Sequence, residues 1–252
     1  MTRPSNAAPD PAHGARHICV PFETADESRE AFVAFIHAGL DRGNRCLFVG
    51  SAAEYQALGQ GLEELGICAQ RAEARGALLF MTVEQAYLED GVFAPEKVLA
   101  RVDRFIQDAL ADGFAGLYAT GELRHEPGDD VWRDVVWYEA HVNEHFAREP
   151  FAALCRYPRS IVPPHRVCDV LRTHPVAVVR GEACANPFYE RPELALSDDS
   201  QARLDWQLRQ LRVQNRTQRH LEEKTVSAVT AAVELATELE ALRSTLPPST
   251  RT

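Results

Sequence analysis

The chain has 252 residues, 45% of them hydrophobic, enough for one substantial core and for one or two domains. Its formal net charge of −10 argues against wholesale binding to nucleic acid or to an anionic membrane, since both demand a surplus of Lys and Arg. Apolar runs such as "VAVV" at 176–179 fall far short of the roughly 20 residues that span a bilayer.

Residues 1–16, "MTRPSNAAPDPAHGAR", lack the apolar centre of a secretion signal and read as a disordered leader. From 17 onward strand-like runs alternate with amphipathic stretches. The strands are "HICVPF" (17–22), "RCLFVG" (45–50), "ALLFMT" (77–82), "AGLYAT" (115–120), "FAALCRY" (151–157) and "VAVVRGEAC" (176–184), and helical patterns lie near 27–42, 53–65, 95–112, 131–147 and 163–173. That alternation predicts an α/β fold, a mostly parallel sheet flanked by helices. In the first helix Phe32, Val33, Phe35, Ile36 and Leu40 recur at three- and four-residue spacing, and Thr24 with Glu27 forms a capping box at its start. Arg180-Gly181 reads as a hairpin tip, so the sheet is expected to end in an antiparallel pair.

The strand pattern is lost after 193, and an acidic Ser-Asp-Asp-Ser cluster marks a linker over 194–200. Residues 201–243 contain no Gly or Pro and predict one long helix. Leu204, Leu208 and Leu211 follow a four-three spacing that Leu221, Thr225, Ala228, Ala232, Leu235, Leu239 and Leu242 resume after a three-residue step. This is coiled-coil periodicity and predicts a dimer-forming signalling helix; a merely solvated face, or a basic helix gripping nucleic acid, are the alternatives. Residues 244–252 read as a disordered tail.

Six cysteines are scattered without a CxxC pair, which with no export signal predicts buried thiols, no disulfides and a cytoplasmic location. The junction after the first strand, "HICVPFETADESREAF", sits where an α/β protein often cradles phosphate. It offers Glu23, Asp26 and Glu27 in place of the glycines and lysine of a P-loop, and no GxGxxG follows any strand. Three carboxylates repel a triphosphate.

Several blocks in order, "HICVPFET", "GLDRGNRCLFVG", "LYATGELRHE", "WYEAHVNEHF", "ALCRYPRS" and "LRTHPVAVVRGEACANPFYERPE", resemble the MEDS family, the sensory domain named for methanogens, methylotrophs and the DcmR regulator. The likeness spans 17–193 as a sensory α/β domain. It implies a RecA/KaiC-like domain that has lost its nucleotide machinery and detects small hydrocarbon derivatives, usually joined to helix-turn-helix, kinase or other signalling modules. This chain departs from that arrangement, with no DNA-binding helix pair before His17 and a single helix after 200.

Ligands of open α/β sheets settle outside the carboxyl ends of the strands. Those ends supply Phe22, Glu23, Thr120, Glu122, Arg124 and Tyr157, and the inward stripe of the 131–147 helix adds Glu139 and Asn143. A buried Glu139 needs a partner, and Arg124 or Arg156 is the expected one, giving a structural salt bridge as the alternative to a pocket role. His17 and Cys19 share a strand face and, with Cys155 or His174, could hold a soft metal or haem iron. Their spacing matches no compact zinc motif, core packing is favoured, and neither metal nor cofactor is assigned. His141 and His145 stand one helical turn apart without an HExxH frame and read as a solvated pair. No GxSxG elbow or Cys-His-Asn frame supplies a nucleophile, so no catalytic residue is assigned.

The expected function is therefore a non-catalytic sensory protein that binds a small ligand at the strand ends and relays the event through a homodimeric C-terminal helix to a downstream kinase or transcription regulator, without direct nucleic-acid contact. The rivals are a nucleotide hydrolase with a degenerate phosphate site and a protein-binding scaffold.

Overall fold

The computed structural model describes residues 17–89, 91–123 and 127–245, and the chain divides into two compact units between Asp198 and Asp199. The expected leader and most of the expected tail lie outside the described residues. In the first unit the elements run β1 (His17–Phe22), α1 (Ala25–Asp41), β2 (Arg45–Val49), α2 (Ala52–Glu64), α3 (Ala69–Ala74), β3 (Leu78–Met81), α4 (Val83–Tyr87), β4 (Leu88–Glu89), β5 (Val92–Phe93), α5 (Pro95–Ala111), β6 (Leu117–Glu122), α6 (Asp129–His145), β7 (Phe151–Pro158), α7 (Pro164–Thr173), β8 (Val176–Val179), β9 (Glu182–Ala185) and α8 (Pro192–Ala195).

Seven strands form one sheet in the order β3-β2-β6-β7-β1-β8-β9, parallel throughout except for the last pair. That last pair is the expected hairpin, with Arg180 at φ 50° and Gly181 at φ 77°, the left-handed turn that matches strand twist. Period-two alternation sends successive side chains to opposite faces. Ile18, Val20, Phe22, Phe48 and Leu154 pack against Phe32, Phe35 and Ile36 of α1 and Leu58 and Leu62 of α2. On the other face Leu47, Val49, Leu117 and Ala153 meet Val98, Leu99 and Ile106 of α5 and Tyr138 and Val142 of α6, while Cys19, Tyr157 and Ala177 meet Trp132, Val135 and Val170.

Helix starts follow local chemistry. Thr24 and Glu27 form the expected capping box, and Ser51 with Glu54 and Thr82 with Gln85 form two more. The fourth expected strand, placed at 115–120, instead runs Leu117–Glu122, paired from Leu117↔Phe151 to Glu122↔Arg156. Gly121 lies inside this strand and not in the loop after it, because Tyr87 packs on its bare face. A Cβ there would sit 1.9 Å from Tyr87 Oη. The short elements α3, α4, β4, β5 and α8 have no counterpart in the sequence-based assignment.

The second unit contains the single helix α9 (Ser200–Thr245). Leu204, Leu211, Leu221, Leu235, Leu239 and Leu242 along it are each about half to two-thirds exposed. Among the described residues no helix is long and apolar enough to cross a membrane.

Candidate functional site

The sheet centre brings β6, β7 and β1 side by side, with Gly121 opposite Cys155, Cys155 opposite Cys19, and Pro21 opposite Tyr157. Odd-numbered residues of β1 and β7 face α6 and α7, whereas Arg156 faces α1. The carboxyl end of the sheet therefore carries two different polar centres, one on each face.

On the α1 face Arg156 is completely buried. Its Nη1 donates to Glu54 Oε1 at 2.7 Å, to Glu122 Oε2 at 2.8 Å and to Ser28 Oγ at 3.2 Å, and its Nη2 donates to the Val49 carbonyl at 3.1 Å. The guanidinium also lies over the rings of Phe32 and Phe48, 5.0 and 5.1 Å from their centroids. Burial lowers its pKa to about 10, partly opposed by Glu122, so it stays charged at neutral pH; burial likewise raises that of Glu122, opposed by Arg156. The strand-end cation is thus already engaged by two carboxylates. Glu23 ion-pairs with Arg159, and Glu27 accepts from the Thr24 and Glu23 backbone N–H groups.

On the α6 face lies an apolar cavity of about 200 Å³. Val83, Tyr87, Phe93, Leu123, Val135 and Tyr138 form its walls, from α4, β5, the end of β6 and α6. Glu84, Glu122, Glu139, Cys155, Arg156 and Tyr157 also line it.

Glu139 stands at the centre of these polar groups, 7% exposed. Its Oε1 accepts from Tyr157 Oη at 2.5 Å, and its Oε2 lies 3.0 Å from His17 Nε2, 3.6 Å from His174 Nε2 and 3.8 Å from Cys155 Sγ. Burial pushes the Glu139 carboxyl up, but the hydrogen bonds from His17 and Tyr157 and the neighbouring imidazoles outweigh it and hold the group below its ordinary value. Burial, reinforced by Glu139, pushes the Cys155 thiol and the Tyr157 hydroxyl well up. His174 falls to about 3, by burial first and by its neighbour His17 second, and is neutral. The His17 and His174 rings stack with centroids 3.9 Å apart.

Three of the residues expected at a ligand site, Glu122, Glu139 and Tyr157, come together at this cavity. Phe22 is in the core on the α1 face. Glu23 lines a separate surface hollow with Arg159. Thr120 is buried within β6 between Ala119 and Gly121, pointing to the opposite face, and its Oγ1 has no hydrogen-bond partner among the described residues. Asn143 Nδ2 donates to the Thr173 carbonyl at 2.8 Å, tying α6 to α7. Arg124 lies outside the described residues.

The expected Glu139–arginine pair is corrected: alternation along β7 turns Arg156 to the α1 face, and histidines and a tyrosine hold Glu139 instead. Core packing describes Cys19, whose Sγ donates to the Val176 carbonyl beside Trp132 and Val170, but not His17 and His174, which are buried in a polar cluster. His141 bonds the Trp137 carbonyl and stacks on its ring, while His145 pairs with Asp103 at 2.8 Å, so these two histidines do not converge. Tyr87, Phe93 and Tyr138 join the cavity wall without being among the residues the sequence marks. The Thr82/Gln85 capping box was the available signal for α4, and Trp132, Val135, Tyr138 and Val142 at three- and four-residue steps were the signal for the walls α6 supplies.

The family model described as MEDS, methanogen/methylotroph, DcmR sensory domain, matches residues 16–175. Among solved structures, a KaiC-like protein of Pyrococcus horikoshii OT3 is similar at 11% identity and a TM-score of 0.43, over 65% of this chain and 69% of that one. The flagellar accessory protein FlaH of Methanocaldococcus jannaschii is similar at 11% identity and a TM-score of 0.44, over 68% of this chain and 75% of that one. Comparison with curated proteins gives no match.

Proposed function

The chain belongs to the MEDS family of sensory domains, and on that premise we propose that it binds a small organic molecule in the cavity on the α6 face and passes the event to α9. One observation carries this reading: apolar walls line a partly open hollow of about 200 Å³ at the carboxyl ends of central strands, with a few polar groups among them. An apolar cavity of about 150 Å³ takes benzene. The space therefore suits a ligand of about six to eight heavy atoms, with one polar group directed at Glu139, Cys155 or Tyr157 and a hydrocarbon body against Phe93, Val135 and Tyr138.

The α1 face supports sensing over nucleotide turnover. With Arg156 committed to Glu54 and Glu122, and the β1–α1 junction presenting Glu23, Asp26 and Glu27, an incoming triphosphate meets net negative charge. For the relay, ligand-free and ligand-bound states must differ in affinity, since only differential binding shifts an equilibrium. The cavity wall formed by α4 and β5 consists of short elements, suited to two positions, and the segment 186–199 joins the sheet unit covalently to α9. The four-three leucine spacing of α9 fits a homodimer that presents this output to a kinase or transcription regulator.

The test is a thermal-shift panel of alcohols, aldehydes, amines and halogenated hydrocarbons of up to about eight heavy atoms, with ATP and Mg²⁺ in a separate arm. Wild type should be stabilised by at least one member, and Val135→Trp, which fills the cavity, should lose that response while remaining folded by circular dichroism. Stabilisation by ATP·Mg²⁺ with measurable hydrolysis would favour the nucleotide enzyme. No response to any compound would favour the scaffold.

A further inference from the structure

We infer that His17, Glu139, Cys155 and His174 form a four-coordinate site for a divalent transition metal of the zinc type, set beside the apolar cavity. The metal reading does not depend on any organic ligand being sensed.

The donors come from four separate elements, β1, α6, β7 and the C-cap of α7, and their ligand atoms all lie within 4.8 Å of one another. A tetrahedral zinc ion, with Zn–S of about 2.3 Å and Zn–N or Zn–O of about 2.0–2.1 Å, sets its ligand atoms about 3.3–3.6 Å apart. The pairs here stand at 3.0 Å (His17 Nε2 to Glu139 Oε2), 3.5 Å (Cys155 Sγ to His17 Nε2), 3.6 Å (His174 Nε2 to Glu139 Oε2) and 3.8 Å (Cys155 Sγ to Glu139 Oε2). The two remaining pairs, His17 with His174 and Cys155 with His174, stand within 4.8 Å, so side-chain shifts of up to about 1 Å would admit the ion.

Surrounding hydrogen bonds orient two of the four donors, His174 and Glu139, as metal ligands are oriented, whereas the buried His17 Nδ1 has no hydrogen-bond partner among the described residues. His174 Nδ1 donates to the Val170 carbonyl at 2.8 Å, which puts the lone pair on Nε2. That Nε2 is fully buried, has no hydrogen-bond partner among the described residues, and faces a carboxylate oxygen, one lone pair against another. A cation between them removes the conflict. Tyr157 Oη occupies Glu139 Oε1 and leaves Oε2 for the centre of the cluster.

Charge also closes. One thiolate and one carboxylate neutralise a divalent ion between two neutral imidazoles, which makes a buried site tenable. On binding, the Cys155 thiol loses its proton to solvent as the metal–sulfur bond forms, and the His17 ring proton moves from Nε2 to Nδ1. Glu139 and Cys155 both line the cavity, which provides an entry path. A set of two imidazoles, a thiolate and one carboxylate oxygen suits zinc or cobalt and not magnesium or calcium, which prefer oxygen donors.

The test uses the full chain, stripped of metal by chelator and titrated with Co²⁺ alone. One equivalent should produce a thiolate-to-cobalt charge-transfer band and the intense visible bands of tetrahedral cobalt, and one equivalent of Zn²⁺ should bleach both. Cys155→Ser should abolish the charge-transfer band, His174→Asn should weaken Zn²⁺ binding by more than about 10-fold, and Tyr157→Phe by about 10- to 100-fold through the lost orienting bond. Wild type giving neither band nor stoichiometric Zn²⁺ in equilibrium dialysis overturns the inference, whatever the variants do. A charge-transfer band undiminished in Cys155→Ser overturns it equally, because the metal would then sit on exposed Cys68, Cys168 or Cys184.

Discussion

Replacing Arg156 by Met tests how the carboxyl end of the sheet is held together. The side chain is completely buried and bonds Glu122 and Glu54, whose own side chains are 11% and 23% exposed. Met keeps much of the stem and removes the charge. Removing one partner of a buried pair costs about 3–5 kcal/mol, because the remaining charge is stranded. At about 2–4 °C of midpoint per kcal/mol for a unit of this size, Arg156→Met should lower the melting temperature by about 6–20 °C. Adding Glu122→Gln removes one stranded charge, so the double variant should recover part of the loss, with a coupling energy of about 2 kcal/mol within the usual 0.5–3 range. Urea unfolding followed by near-ultraviolet circular dichroism, which reads buried Trp132 and Tyr138, measures all four corners of the cycle. A loss below about 1 kcal/mol for Arg156→Met, or a cycle additive to within about 0.5 kcal/mol, would refute the claim that this guanidinium organises the strand ends.

Gly121→Ala should destabilise by about 1–3 kcal/mol by driving a methyl into Tyr87, and adding Tyr87→Phe should restore part of that, because Oη is the nearest atom at 1.9 Å; thermal melts of the three variants check it. Thr24→Ala removes the capping bond to the Glu27 backbone N–H and should cost about 1 kcal/mol in the urea midpoint free energy. Leu235→Glu with Leu242→Glu puts like charges on the apolar stripe of α9 and should convert a dimer to a monomer by light scattering, and a monomeric wild type would remove the coiled-coil relay.

The sheet was legible because its signals are local and repeated. Alternating apolar runs marked β1, β2, β3 and β7, the capping residues Thr24 and Glu27 marked α1, and Arg180-Gly181 marked the hairpin. The β6 boundary slipped because Gly121 reads as a strand breaker when its neighbour Tyr87, 34 positions away in sequence, cannot be seen. The candidate site was only partly legible for the same reason. Glu139 stood out as a carboxylate on an apolar stripe, but its partners are 122 and 18 residues distant in sequence. Spacing along the chain identifies compact motifs and is silent about four donors carried by four elements. Which arginine meets which acid turned on strand alternation: Arg156 and Cys155 are adjacent in sequence yet serve opposite faces of the sheet.

Amide hydrogen exchange on the full chain, with and without the panel compound that stabilises it most, tests the proposed binding place most directly. Slowed exchange in residues 83–88, 117–123 and 131–139, which carry α4, β6 and the cavity face of α6, is the predicted result. Slowing confined to residues 22–28 at the β1–α1 junction, or no change in any segment, would contradict it.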